Sequence, residues 1–141
     1  MHPNPPAFRF PDPYPDYFEG GILKSEYLTN VPEDLARFLG NEGQLTMHQL
    51  RAFYGHAKRA EDASRRGLPL AGAVKEIRKL VPIAADRLGK KKITPTFHRF
   101  LRDNALYVRT DDSAATLKAF LEHFEALVGF CQGKLKEKER T

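Results

Sequence analysis

Apolar residues recur at three- and four-residue intervals from Leu45 to Cys131, and no stretch of the chain alternates apolar with polar residues. A period near 3.6 puts side chains on one face of a helix, whereas a half-buried strand needs a period of two. This constrains the fold more than any other feature: the chain is all-α, a compact bundle of about five helices, and a sheet has little support. The cleanest stripe is Leu117, Phe120, Leu121, Phe124, Leu127, Val128 and Cys131, in a final helix that Ser113 is placed to cap.

The helix starts and stops can be read along the chain. Thr46-Met47-His48-Gln49 is a capping box, in which Thr46 accepts from the Gln49 amide and the Gln49 side chain reaches back. Leu45 and Leu50 stand at the stapling positions. A long helix follows to about Arg66, where Gly67 stops it, with Leu50, Phe53, Tyr54, Ala57 and Ala60 inward. Residues 68–88 predict another, with Leu70, Val74, Ile77, Val81, Ala84 or Ala85 and Leu88 inward, kinked or split near Leu80–Val81 by Pro82. Thr94-Pro95 opens a helix carrying Phe97, Phe100 and Leu101. Two short helices are expected earlier, over about 22–28 and 32–39, the second broken at Gly40-Asn41-Glu42-Gly43.

The ends read differently. Six prolines among residues 1–18 remove backbone donors and fix φ, so this segment is an extended or disordered Pro-rich arm whose aromatics can pack along the domain. Residues 19–136 form one helical domain, and residues 137–141 end a solvated, frayed tail that begins near Lys134. No apolar run approaches the ~18–20 residues of a membrane span, and no secretory leader is recognisable. A single cysteine, Cys131, excludes an internal disulfide and fits a cytoplasmic protein.

No catalytic constellation is visible. The five histidines fall in no metal-ligand spacing, the glycines form no phosphate loop, and Cys131 lies on an apolar stripe as a core thiol. Asp111-Asp112 precedes a helix and reads as capping and dipole complementarity rather than a catalytic pair. Neither an enzyme, a metal centre nor a cofactor is expected.

Charge is distributed unevenly. Residues 45–109 hold 15 Lys/Arg against 5 Asp/Glu, a net +10 within a chain whose formal total is +5. Arg51, Lys58 and Arg65 are seven residues apart, nearly two turns, and so share a face flanked by Arg59 and Arg66. Lys75, Arg78 and Lys79 cluster one helix on, and Arg87 with Lys90, Lys91 and Lys92 extends the group. With so few acids interleaved, ion pairs along the helices are not expected to neutralise this face, and a phosphate backbone is the ligand it fits. The aromatics of these helices point inward, so contact with the backbone is favoured over stacking on bases.

The stretch Leu45-Thr46-Met47-His48-Gln49-Leu50-Arg51-Ala52-Phe53-Tyr54 resembles the opening motif of the small subunit of type III-A CRISPR–Cas effector complexes, the Csm complex. Three further segments agree in order. Leu80-Val81-Pro82 followed by Arg87 is similar to the family's Pro-bearing helix, Phe97 to Leu101 to its short Phe-bearing helix, and Phe120 to Val128 to its C-terminal helix. The resemblance implies a helical bundle without catalytic activity. It implies copies of the chain stacked in a filament along guide RNA and target RNA, beside the backbone and large subunits. Arg51 falls on the motif arginine, and Lys58, Arg59 and Arg87 fall on or near basic positions of the family. Two other readings remain open: a helix-turn-helix DNA-binding protein with a recognition helix near Lys92–Arg102, and a protein-interaction bundle with an acidic partner.

Overall fold

The computed structural model describes residues 7–138. Its α-helices are α1 (Asn30–Glu42), α2 (Met47–Arg65), α3 (Leu70–Arg78), α4 (Leu80–Gly89), α5 (Pro95–Tyr107) and α6 (Ala115–Cys131). Counting α3 and α4 as the one broken helix that the sequence predicts leaves five. The break falls at Lys79, and Pro82 sits in the first turn of α4, where its missing N–H costs nothing because that position has no intrahelical acceptor. The shift of the break turns Leu80 rather than Val81 into the core, and Ala84 rather than Ala85.

The segment before α1 corrects the sequence reading. Instead of a helix over 22–28, two-residue strands β1 (Phe18–Glu19) and β2 (Ile22–Leu23) pair antiparallel, followed by a 3-10 turn at Ser25–Tyr27. Gly20 and Gly21 both have positive φ (60° and 79°), which a two-residue hairpin turn requires and only glycine adopts freely. A short apolar run carries too few residues for its period to separate strand from helix. Of the Pro-rich arm, residues 1–6 lie outside the described residues. Residues 7–17 form no regular element, yet Phe10 and Tyr17 are buried.

Helix α1 runs through Gly40 and ends at Gly43 (φ 74°). Gly40 is needed because a Cβ there would lie 2.9 Å from the Lys134 carbonyl oxygen, where the C-terminal segment crosses α1. That crossing also ties down residues 134–137 of the expected frayed tail, while residues 139–141 lie outside the described residues. The Lys136 and Glu137 carbonyls accept from the backbone N–H groups of Met47 (2.8 Å) and His48 (2.9 Å), so the tail caps the start of α2. Leu135 is buried beneath it.

Thr46 caps α2 as expected, its hydroxyl accepting from Gln49 N–H at 3.1 Å, and Thr94 caps α5 in the same way through Phe97 N–H. Ser113 caps nothing. Asp112 accepts from the Thr116 N–H at 3.0 Å and does the work assigned to its neighbour. Helix α6 packs on α1, α2 and α5, and α4 lies on α5 while α3 lies on α2. Phe53, Phe97, Phe100, Phe120 and Phe124 form a continuous set of ring contacts with centroids 5.2–5.8 Å apart. Burial of these rings, with Leu35, Leu39, Leu50 and Ile77, supplies most of the drive to fold.

A polar network locks the N-terminal segment onto this core. The Tyr17 hydroxyl donates to Asn104 Oδ1 at 2.5 Å, and Asn104 Nδ2 donates to the Tyr14 oxygen (2.9 Å) and the Phe100 carbonyl (2.8 Å). His123 Nδ1 lies 2.6 Å from the Tyr27 carbonyl and Nε2 lies 2.8 Å from the Tyr14 hydroxyl. A carbonyl only accepts, so Nδ1 carries the proton and Nε2 accepts from Tyr14. Burial lowers the His123 pKa to about 4, keeping the ring neutral.

Candidate nucleic-acid interface

The basic residues separate into three groups once their partners are known. In the first, acids have taken up the charge. Glu61, buried at 5% exposure, holds Lys58 at 2.9 Å and Arg65 at 3.4 Å, and Asp62 lies 3.6 Å from Lys58. The Glu61 hydrogen bond raises the Lys58 pKa above its ordinary value. Glu76 pairs with Lys79 at 2.7 Å, which lowers its own pKa. Asp86 pairs with Lys90 at 3.2 Å and with Arg87, and its pKa is likewise lowered, chiefly by Lys90. The five acids thus engage particular cations while the net +10 of residues 45–109 persists. Each acid between residues 45 and 109 is shared or paired.

The second group is tied to the fold. Arg78 donates to the carbonyls of Ala105 (3.1 Å) and Val108 (2.9 Å), satisfying the open C-terminal end of α5. Arg51 donates to Glu137 Oε2 (2.9 Å) and Gln132 Oε1 (3.0 Å), so the motif arginine is clasped by the C-terminal segment. The seven-residue stripe of Arg51, Lys58 and Arg65 exists as a line on α2, but each member already has a protein partner.

The third group remains available. Arg59, Arg66, Lys75 and Lys91 make no ion pair or side-chain hydrogen bond among the described residues. Lys91 has a positive φ of 59° in the turn after α4, and Lys92 follows it with its backbone N–H on the Arg87 carbonyl. Arg59 and Arg66 are themselves seven apart, so α2 carries a second basic line beside the one read from sequence.

Arg59 and Arg87 meet across a groove between α2 and α4. Gln49, Ala52, Phe53, His56 and Arg59 line it from α2, and Leu80, Ile83 and Arg87 line it from α4. Its volume is about 180 Å³. A Cβ at Gly55 would stand 3.2 Å from Arg59 Nη1, the free end of an exposed side chain that can give by a few tenths of an ångström. His56 Nε2 donates to the Glu76 carbonyl at 2.8 Å, fixing the wall between α2 and α3.

Of the predicted residues, the structure gathers Arg59 and Arg87 at one cavity. It distributes Lys75, Lys79, Lys90 and Lys91 over exposed surface. Sequence reasoning missed Gln49 and His56 as groove residues and Glu61 as a buried acid. Nothing in the sequence marked Glu61 as buried.

No helix among the described residues is long and apolar enough to cross a membrane, and no cluster of three His, Cys, Asp or Glu side chains forms there. The Cys131 thiol is buried, and burial pushes its pKa up to about 12, far from a nucleophile's range. A family model described as Csm2 Type III-A matches residues 23–134. No curated protein and no solved structure gives a significant match.

Proposed function

This chain belongs to the Csm2 Type III-A family, the small subunits of type III-A Csm complexes, and we propose that it acts there as a non-catalytic holder of RNA backbone. The observation that carries the reading is the convergence of Arg59 and Arg87 from two helices on one groove, with Arg59 lacking any protein partner and Arg87 shared only with the exposed Asp86, which a phosphate can replace. Guanidinium groups are suited to phosphate because they present a rigid fork of donors and stay charged at every physiological pH. Phosphates bound this way release counterions and are read without regard to sequence.

In this reading guide RNA and target RNA are the ligands. Copies of the chain stack beside the backbone and large subunits of the complex in the cytoplasm, and other subunits supply chemistry. Arg66, Lys75, Lys91 and Lys92 extend the path beyond the groove. Arg51 joins it when the C-terminal segment releases its guanidinium. Lys58, Arg65, Lys79 and Lys90 contribute field rather than direct contact while their acids hold them. The duplex-DNA reading has less support, since Arg99 and Arg102 of α5 face Asp103 and Arg99 also covers the Phe10 ring at 4.4 Å.

The test is RNA binding by the assembled complex as salt rises, with and without Arg59→Ala and Arg87→Ala together. The expected outcome is a salt-dependent affinity that the double variant weakens. Binding that ignores both salt and the substitutions refutes the reading.

A further inference from the structure

The α2/α4 groove has a composition that phosphate contacts do not require. Its lining includes Ala52, Phe53, Leu80 and Ile83, while its polar groups (Gln49, His56, Arg59 and Arg87) complete the remainder. Ala52 is exposed and Ile83 partly so, whereas Phe53 and Leu80 are buried behind them. A plain backbone-binding surface has no need of an apolar floor between its arginines. At about 180 Å³ the cavity is smaller than the ~300–1,000 Å³ that enclose a whole small-molecule ligand, so a cofactor or free nucleotide does not fit within it. It has room for a single ring system with the rest of its molecule outside.

Gln49 adds a second observation. The capping box predicts that its side chain turns back to the Thr46 backbone, but the cap is made by Thr46 alone. The Gln49 amide has no hydrogen-bond partner among the described residues and lines the groove instead. An amide offers one acceptor and two donors, matching the mixed edge of an unpaired base.

We infer that this groove seats one unstacked base of single-stranded RNA, with its neighbouring phosphates on Arg59 and Arg87. The base lies on Ala52 and Ile83, between the guanidinium groups, and presents its edge to Gln49. Every base has an apolar face, so such a seat tolerates any sequence. This inference rests on the backbone reading above and sharpens it, since a base in the groove fixes where along the strand each copy binds.

The test compares a short single-stranded oligoribonucleotide with an abasic ribose-phosphate oligomer of equal length, by fluorescence anisotropy on the full chain at low salt. The base-bearing strand is expected to bind about fivefold tighter, the low end of what stacking one base on an aromatic ring provides, since this seat is aliphatic. Ala52→Leu fills the seat at an exposed position and is expected to abolish the difference between the base-bearing and the abasic strand. Ala52→Ser, which leaves the seat open, preserves the difference. Equal binding of the two oligomers overturns the inference and leaves the backbone reading standing. Binding of neither overturns both. An Ala52→Leu chain that binds RNA normally but no longer enters the assembled complex assigns the groove to a protein partner and overturns the inference.

Discussion

Both ring nitrogens of His123 and the whole amide of Asn104 are spent on protein partners, whereas Arg59, on the α2/α4 face, has no such partner among the described residues. The two regions are built from the same kind of helix and lie in one small chain. They differ in what their polar atoms are for. Around α5 and α6 each donor meets an acceptor out of contact with water, so the arrangement is rigid and its loss costs stability. Along the groove the Arg59 guanidinium and the Gln49 side-chain amide are left without a protein partner. A polar group that is fully satisfied inside a fold reports on folding, and one left open on a rigid helix reports on binding.

The contrast is broken most forcefully at Asn104. Asn104→Ala leaves the Tyr17 hydroxyl without its acceptor and the Tyr14 oxygen without a donor, in a site closed to water. A loss of about 2–4 kcal/mol in unfolding free energy is expected, measured by urea titration, from the unpaired groups and the space left behind. RNA affinity of the remaining folded protein should be unchanged. Arg59→Ala should do the reverse, shifting stability by no more than ~0.5 kcal/mol while weakening RNA binding. If Arg59→Ala destabilises as much as Asn104→Ala, the two regions are not different in kind.

Acid sharpens the same division. His123 has a folded pKa of about 4 against an ordinary 6.5, so the unfolded chain binds the extra proton between those values. Stability from this group is complete above pH 6.5 and falls as pH drops from 6.5 toward 4, by on the order of 3 kcal/mol. His123→Gln, which cannot titrate, should flatten that part of the stability curve, read as urea midpoint against pH.

The helices were legible because each carries its own stripe and stops, and those signals are local. Thr46 and Thr94 cap where the sequence placed them, and Pro82 broke its helix within two residues of the expected point. What could not be read was set by contacts distant in sequence. The Tyr14–His123 hydrogen bond spans 109 positions, and no local pattern around Tyr14 anticipates it. The candidate site was half legible for the same reason. A basic stripe is a local pattern, but whether Lys58 is available depends on Glu61 turning inward, and whether Arg51 is available depends on Glu137, 86 residues away. Charge counting singled out α2 and α4 but could not tell which of their cations already have protein partners.

Salt measures how many of these cations reach phosphate. Each contact to a single strand contributes about 0.7 to the slope of log affinity against log salt. Arg59→Ala with Arg66→Ala, the two unpaired cations of the second line on α2, should therefore flatten that slope by about 1.4. Lys58→Ala with Arg65→Ala should change it far less, since removing them frees Glu61 rather than a phosphate. Equal changes in the two pairs would mean that protein ion pairs on this face give way to RNA, and the available and the committed cations would form one class.

The smallest effect is expected at Glu137, where the two regions touch in function. Its carboxylate holds Arg51, yet its backbone carbonyl separately caps α2 through His48 N–H. Glu137→Gln removes the charge and keeps the carbonyl, so the cap and the path of the tail persist. An exposed ion pair of this kind contributes little to stability, and the urea midpoint should barely move. What changes is the competition for the guanidinium. A neutral amide gives up Arg51 to a phosphate more readily than a carboxylate does. RNA affinity should rise about two- to threefold at low salt, within the range of one exposed pair. Arg51→Ala in the same background should abolish that gain. If Glu137→Gln leaves affinity where it was, Arg51 belongs with Asn104 and His123 as a residue of the fold, and the binding face begins at Arg59.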